Sequence, residues 1–211
     1  YIYEKIKDII KGNLLHQDFL TFSPDLKFDL IIGNPPYKVI KKKELSKEYI
    51  PFFNGRPNLF CLFILKSLSL LSDNGILSFI LPKNFLNCLY YNKIRSYIFN
   101  NFKIVEIIEC DDGQFIDTSQ ETIIFIVKKE KGDNTLYSLL FNENIIFGQI
   151  DNINILKSLL ENSTCIDALG CKVSIGNIVW NQCKNELVDE GKTKLIYSTN
   201  VKDRKLIDMK T

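Results

Sequence analysis

Residues 28–33, FDLIIG, are five largely apolar positions and a glycine, and they run straight into Asn34-Pro35-Pro36-Tyr37. A continuous apolar run of this length reads as a strand covered on both faces, as in a parallel sheet. Two prolines then forbid the strand from continuing, because each fixes φ and lacks an N–H. The chain is therefore expected to build a strand whose carboxyl end is a rigid polar corner. Open α/β sheets place their ligands at such ends.

Flanking patterns support an α/β sheet. Residues 2–11 carry Ile2, Ile6, Ile9 and Ile10 at helical spacing, and 14–17 read as a short strand leading to Asp18. Residues 58–71 form an apolar helix with Asn58 as N-cap, ended by Asp73-Asn74-Gly75. ILSFILP follows as a strand stopped at Pro82, then a helix over 91–100 and strands over 103–110 and 121–129. No helix separates the last two strands, so they are expected to pair antiparallel. Beyond Gly132 come two short β-like runs and a helix near 153–160. A boundary near 163–170 divides residues 1–163 from a β-rich segment, 164–211, with Trp180 as its core anchor.

The net charge of +2 neither demands nor excludes nucleic acid, since local patches decide binding. No apolar run reaches membrane-spanning length, and no signal peptide is visible. The six cysteines form no CxxC pair and lie far from the single histidine, His16, so no metal ligand set is visible; buried thiols in a reducing cytoplasm are expected.

The corner suits a planar amine. The Asn34 side-chain carbonyl and the Pro35 backbone carbonyl can each accept one N–H. Holding a conjugated amino group towards tetrahedral geometry frees its lone pair for in-line attack, with no charged base. Tyr37 offers a ring for stacking. An ordinary proline turn is the competing reading. Asp29 is expected to be structural, and Lys83 and Asn84 follow a strand end on the same side as Asn34. Lys38, Lys41, Lys42, Lys43 and Lys47 make a basic run suited to phosphate or to solvent.

With LHQDFLTF, NPPY, NLFCLFILKSLSLLSDNGILSFILPKNFL and QFIDTSQETIIFIVKK in this order, residues 13–129 resemble the N6-adenine DNA methyltransferases of restriction–modification systems. The resemblance implies a partial Rossmann-like, S-adenosylmethionine-dependent sheet, strands 3 to 7 of the order 3-2-1-4-5-7-6, followed by the start of a target-recognition domain. It gives catalysis to Asn34, Pro35, Pro36 and Tyr37. Asp18 and Phe19 would meet the cofactor's adenine, or Asp18 would only cap its turn. Leu59 and Phe60 would lie near the cofactor. Phe115 would stack the extruded adenine opposite Tyr37, or be a loop aromatic. The implied partners are double-stranded DNA with a flipped adenine and an endonuclease, fused or separate, in the cytoplasm.

The family's FxGxG cofactor motif is missing: of ten glycines no two are one residue apart. That motif and the acidic residue that holds the cofactor ribose are expected upstream of Tyr1. The first two strands would then be missing beside FDLIIG, leaving an apolar edge, weak cofactor binding and poor solubility. Protein glutamine and RNA guanine-amino methyltransferases fit the same corner, as does a non-catalytic DNA-binding remnant. Glutamine enzymes generally end soon after the last sheet strand, whereas residues 130–211 follow here.

Overall fold

A computed structural model describes residues 12–110, 121–174, 183–188, 191, 194–196 and 200–206. The chain forms two compact units, 1–163 and 164–211.

In the first unit, β1 (Phe28–Gly33), β2 (Leu71–Pro82), β3 (Lys103–Glu109) and β4 (Thr122–Lys128) make one mixed sheet in the order β1-β2-β4-β3. β1 runs parallel to β2, and β4 is antiparallel to both its neighbours. This is the 4-5-7-6 half of the expected order, and the antiparallel pairing of the last two strands is as expected.

α1 (Leu59–Leu70) connects the parallel pair. Asn58 caps it by accepting from the Phe60 N–H at 3.4 Å. The helix is apolar nearly all round and buries eight of its twelve residues, as a helix enclosed on most sides must. It ends at Leu70, and Leu71 already pairs with Phe28. Asp73-Asn74-Gly75 therefore does not end the helix, contrary to expectation. It loops out of β2 while the register with β1 moves from Phe28↔Leu71 to Leu30↔Ile76. Asn74 takes a left-handed φ of 64°, and a Cβ on Gly75 would lie 2.8 Å from the Phe28 carbonyl oxygen.

An aromatic cluster lies within a largely aliphatic core. Phe60 meets Tyr91 at 5.1 Å and Phe85 at 6.0 Å between ring centroids, and Phe85 meets Phe125 at 5.4 Å. α2 (Asn92–Asn101) brings a fully buried Arg95 beside them. Arg95 donates to the carbonyls of Phe85 (2.9 Å), Cys88 (2.8 Å) and Ile145. It thereby ties the turn after β2 and the hairpin β5 (Ser138–Phe141)/β6 (Asn144–Phe147) to one helix. Buried Asn134 bonds the Ile104 N–H and the carbonyls of Phe99 and Phe102, fixing the passage from α2 to β3. α3 (Ile150–Glu161) closes the unit.

Three expectations need correction. Residues 14–17 form no strand, because no described strand lies beside them to complete their backbone hydrogen bonds. β1 is the edge of the sheet among the described residues, as expected, but it is not covered on both faces: on one face Leu30 is 54% and Ile32 71% exposed. Cys61 is a buried thiol, but Cys165 and Cys171 are exposed. The helix expected over 2–11 and the anchor Trp180 lie outside the described residues.

The second unit shows short 3-10 turns at Ile166–Leu169 and Lys184–Glu186 and a small hairpin, β7 (Val201–Lys202) with β8 (Lys205–Leu206). No helix among the described residues is long and apolar enough to cross a membrane.

Candidate active site

The corner grows out of the last rung of the parallel pair, Gly33 against Phe79. A Cβ on Gly33 would sit 3.1 Å from the Phe79 ring, so glycine lets the chain turn tightly over that side chain. Pro35 is buried, whereas Asn34 and Pro36 are exposed. Among the described residues nothing donates to the Pro35 carbonyl.

Tyr37 is half-buried and held at both ends. Its ring packs edge-on to Phe60 at 6.0 Å and 83°. Its hydroxyl lies 2.9 Å from the Ile80 carbonyl and 3.1 Å from Asn34 Oδ1. Ile80 is one residue past the Phe79 rung, where β1 has already turned away, so the hydroxyl supplies the donor that β1 no longer offers. A phenol has one proton for two acceptors. With that proton on Ile80, a half-turn of the Asn34 carboxamide lets its N–H donate to Tyr37 and leaves Oδ1 free. Burial, and secondarily the Cys110 thiol, push the Tyr37 phenol up to about 12. It is a fixed neutral donor at neutral pH, unsuited to act as a base.

A cleft of about 240 Å3 opens beside the corner, lined by Phe19, Ile31, Asn34, Pro35, Phe63 and Phe79 among others. Phe19 and Phe63 face each other at 4.9 Å and 32°. Asp18 sits at the head of the turn that carries Phe19: its Oδ1 accepts the Leu20 N–H at 2.9 Å, and its carbonyl accepts the Thr21 hydroxyl. Sequence reasoning missed Phe63 and Phe79. Phe63 stands one helical turn beyond Leu59, which was the available signal.

The structure thus brings Phe19, Asn34 and Pro35 to one cleft, with Tyr37 bonded to Asn34. It does not bring Phe60 there: that ring is fully buried and backs Tyr37 instead. Leu59 is half-buried, and its N–H bonds the Lys38 carbonyl at 2.7 Å, tethering the segment that leaves the corner. Asp29 accepts the Ser72 hydroxyl across β1 and β2, a structural role. Lys83 is clasped by Glu109 at 2.9 Å and Glu121 at 3.1 Å, which raise its pKa. With Asn84, Asn87 and Glu121 it borders a separate recess of about 360 Å3. Phe115 lies outside the described residues. Among the described residues no group of His, Cys, Asp and Glu could hold a metal.

Comparison with known proteins narrows the reading. The family model for the Eco57I restriction-modification methylase matches residues 2–115. The chain is similar to the Type II methyltransferase M.AccI of Acinetobacter calcoaceticus, 34% identical over 66% of this chain and 27% of that protein. It is also similar to the Type II methyltransferase M.HincII of Haemophilus influenzae, 32% identical over 73% of this chain and 29% of that protein. The chain thus spans less than a third of the length of either. In fold it resembles a solved structure from Listeria monocytogenes, described as a class I S-adenosylmethionine-dependent methyltransferase, with TM-score 0.52 and 21% identity over 72% of this chain and 47% of that one. Because the matched region runs through β1, the corner, α1, β2 and α2, the chain belongs to the Eco57I restriction-modification methylase family.

Proposed function

We propose that the chain carries the catalytic corner of a DNA methyltransferase that moves a methyl group from S-adenosylmethionine to the N6 amine of an adenine extruded from duplex DNA. One observation supports this above the others. The Asn34 carboxamide, its Oδ1 3.1 Å from the Tyr37 hydroxyl, and a backbone carbonyl with no described donor sit together at the carboxyl end of β1, beside an aromatic cleft.

The cleft fits part of such a cofactor. Phe19 and Phe63 offer an apolar wall for a flat heterocycle, and the cleft reaches Asn34, where the chemistry would occur. Asp18, next in the chain to Phe19, is proposed to hold the heterocycle's amine with the carboxylate oxygen that its turn bond to Leu20 does not use. When bound, the cofactor supplies an electrophilic methyl on a sulfonium.

The remaining work falls to this chain. Asn34 Oδ1 and the Pro35 carbonyl accept the two N–H bonds of the target amine, drawing its lone pair out of conjugation. Pro35 and Pro36 fix the direction of the carbonyl. Tyr37 stacks the extruded ring, with Phe115 proposed on the opposite side. As the new N–C bond forms, the amine loses one proton to solvent, since neither Asn34 nor neutral Tyr37 can take it. Leu59 and Phe60 hold the corner in place from behind. The unit 164–211 is proposed as the start of a target-recognition domain, in a cytoplasmic enzyme that acts beside an endonuclease, fused or separate.

The test is transfer of a tritiated methyl group to duplex DNA or to a protein acceptor, with hydrolysis to identify the modified base or residue. Label in N6-methyladenine is expected; label in glutamine, guanine or cytosine refutes the assignment. Asn34→Ala should lower transfer at least about 100-fold, in line with loss of one preorganised polar group, with DNA affinity unchanged.

A further inference from the structure

A second concavity, of about 550 Å3, lies just beyond the corner and is bordered by Lys41, Lys42, Gly55, Arg56 and Tyr90. Its wall is built by pairing. Lys38, Val39 and Ile40 leave the corner and run antiparallel to Pro57, Asn58 and Leu59, joined by Ile40 N–H to Pro57 O (3.0 Å) and Leu59 N–H to Lys38 O (2.7 Å). That pairing sets the cations of one segment opposite Arg56 of the other.

Among the described residues, none of Lys41, Lys42 and Arg56 is ion-paired with a carboxylate. The clasped Lys83 shows what a satisfied cation looks like in the same unit. Tyr90 is half exposed, and its ring lies over Gly55 so closely that a Cβ there would fall 2.2 Å from a ring carbon. Glycine at 55 therefore reserves room for the ring. Three unpaired cations and a seated aromatic around one concavity match a phosphodiester and its attached nucleoside.

Resting on the methyltransferase reading above, we infer that this cleft holds the strand that carries the target adenine, within about five nucleotides of the extruded one. Lys42 and Arg56 bind its phosphates, and Tyr90 packs on its sugar or base. The reach is suitable. Lys42 follows Tyr37 by five residues, so it lies within about 18 Å along the chain, or roughly five rises of 3.4 Å along one DNA strand. The contact is independent of sequence and secures the strand whose base is turned out.

The experiment measures binding of the protein to a 30-base-pair duplex over a range of salt concentrations, alongside methyl transfer. Lys42→Ala and Arg56→Ala should each reduce the slope of log K against log salt by roughly 0.9. Lys42→Arg should restore it, and exposed Lys93→Ala on α2 should leave it unchanged. Gly55→Ala, which dislodges the Tyr90 ring without altering charge, should weaken binding several-fold at an unchanged slope. Wild-type slopes in both Lys42→Ala and Arg56→Ala, with methyl transfer intact, would overturn the cleft assignment and leave the methyltransferase reading standing. An equal loss in Lys93→Ala would overturn it too, by showing a general charge effect. A wild-type protein that neither binds nor methylates DNA would remove both.

Discussion

Tyr37→Phe separates the ring of Tyr37 from its hydroxyl. The phenylalanine keeps the edge contact with Phe60 and the surface offered to a stacked base. It loses the bonds at 2.9 Å to the Ile80 carbonyl and 3.1 Å to Asn34. With the phenol proton on Ile80 and the turned Asn34 carboxamide donating to the hydroxyl oxygen, both bonds are lost, and the one to Asn34, about 0.5–1.5 kcal/mol, is the one that bears on transfer. If that energy fixes which way the Asn34 carboxamide faces, its loss lowers the transfer rate roughly 2- to 13-fold. The Ile80 carbonyl also loses its donor, so a lower melting temperature should accompany the rate effect. Single-turnover transfer of a tritiated methyl group, with DNA affinity measured separately, reads the two apart. The expected result is a slower transfer step at unchanged DNA affinity. A transfer rate equal to wild type would refute the orienting role, and a loss confined to DNA affinity would assign the hydroxyl to ring placement alone.

Arg95→Met removes three donors from the carbonyls of Phe85, Cys88 and Ile145. Relief of a buried charge offsets part of the loss, leaving a destabilisation of about 2–4 kcal/mol, read as a lower urea midpoint at unchanged m. Gly75→Ala should cost about 1–3 kcal/mol in the same assay, because the new methyl would press on two backbone oxygens, of Phe28 and Ser72, at 2.8 and 2.9 Å. For Tyr37 the folded phenol sits near 12 against an ordinary value near 10, so its stabilising effect is complete below pH 10 and is lost between 10 and 12. The transfer rate should therefore show no Tyr37-dependent break up to about pH 10, and a break below that which disappears in Tyr37→Phe would contradict the burial argument.

Much of the sheet was legible because its strands are apolar runs punctuated by Gly and Pro. FDLIIG, ILSFILP and TIIFIVK all appear as strands, and the absence of a helix between the last two indicated their antiparallel pairing. The corner was legible because two prolines leave few conformations. Long-range polar partners were not legible. Arg95 sits in a stretch that reads as an ordinary amphipathic helix, yet it is fully buried, and its partners lie up to 50 residues away. Asn134 reads as a turn residue, yet it clamps residues about thirty positions upstream in the chain. The direct passage from α1 into β2 was hidden because Asp73-Asn74-Gly75 is as good a bulge as a helix stop. Phe60 and Phe63 differ only in helical phase: one backs the corner and the other walls the cleft.

The open side of β1 ties two equilibria together. β1 ends in Asn34 and lends Ile31, Ile32 and Gly33 to the cleft, while its outer edge has no neighbour among the described residues. A strand laid along that edge would satisfy its backbone groups, cover Leu30 and Ile32, and stiffen the floor on which the carboxamide stands. Any ligand that favours the stiffened corner would then bind more tightly after pairing, and by reciprocity the pairing would tighten by the same factor once the ligand is present. Sheet completion and methyl-donor binding would therefore behave as one cooperative event, measurable as hydrogen-exchange protection of the β1 amides that rises with cofactor concentration.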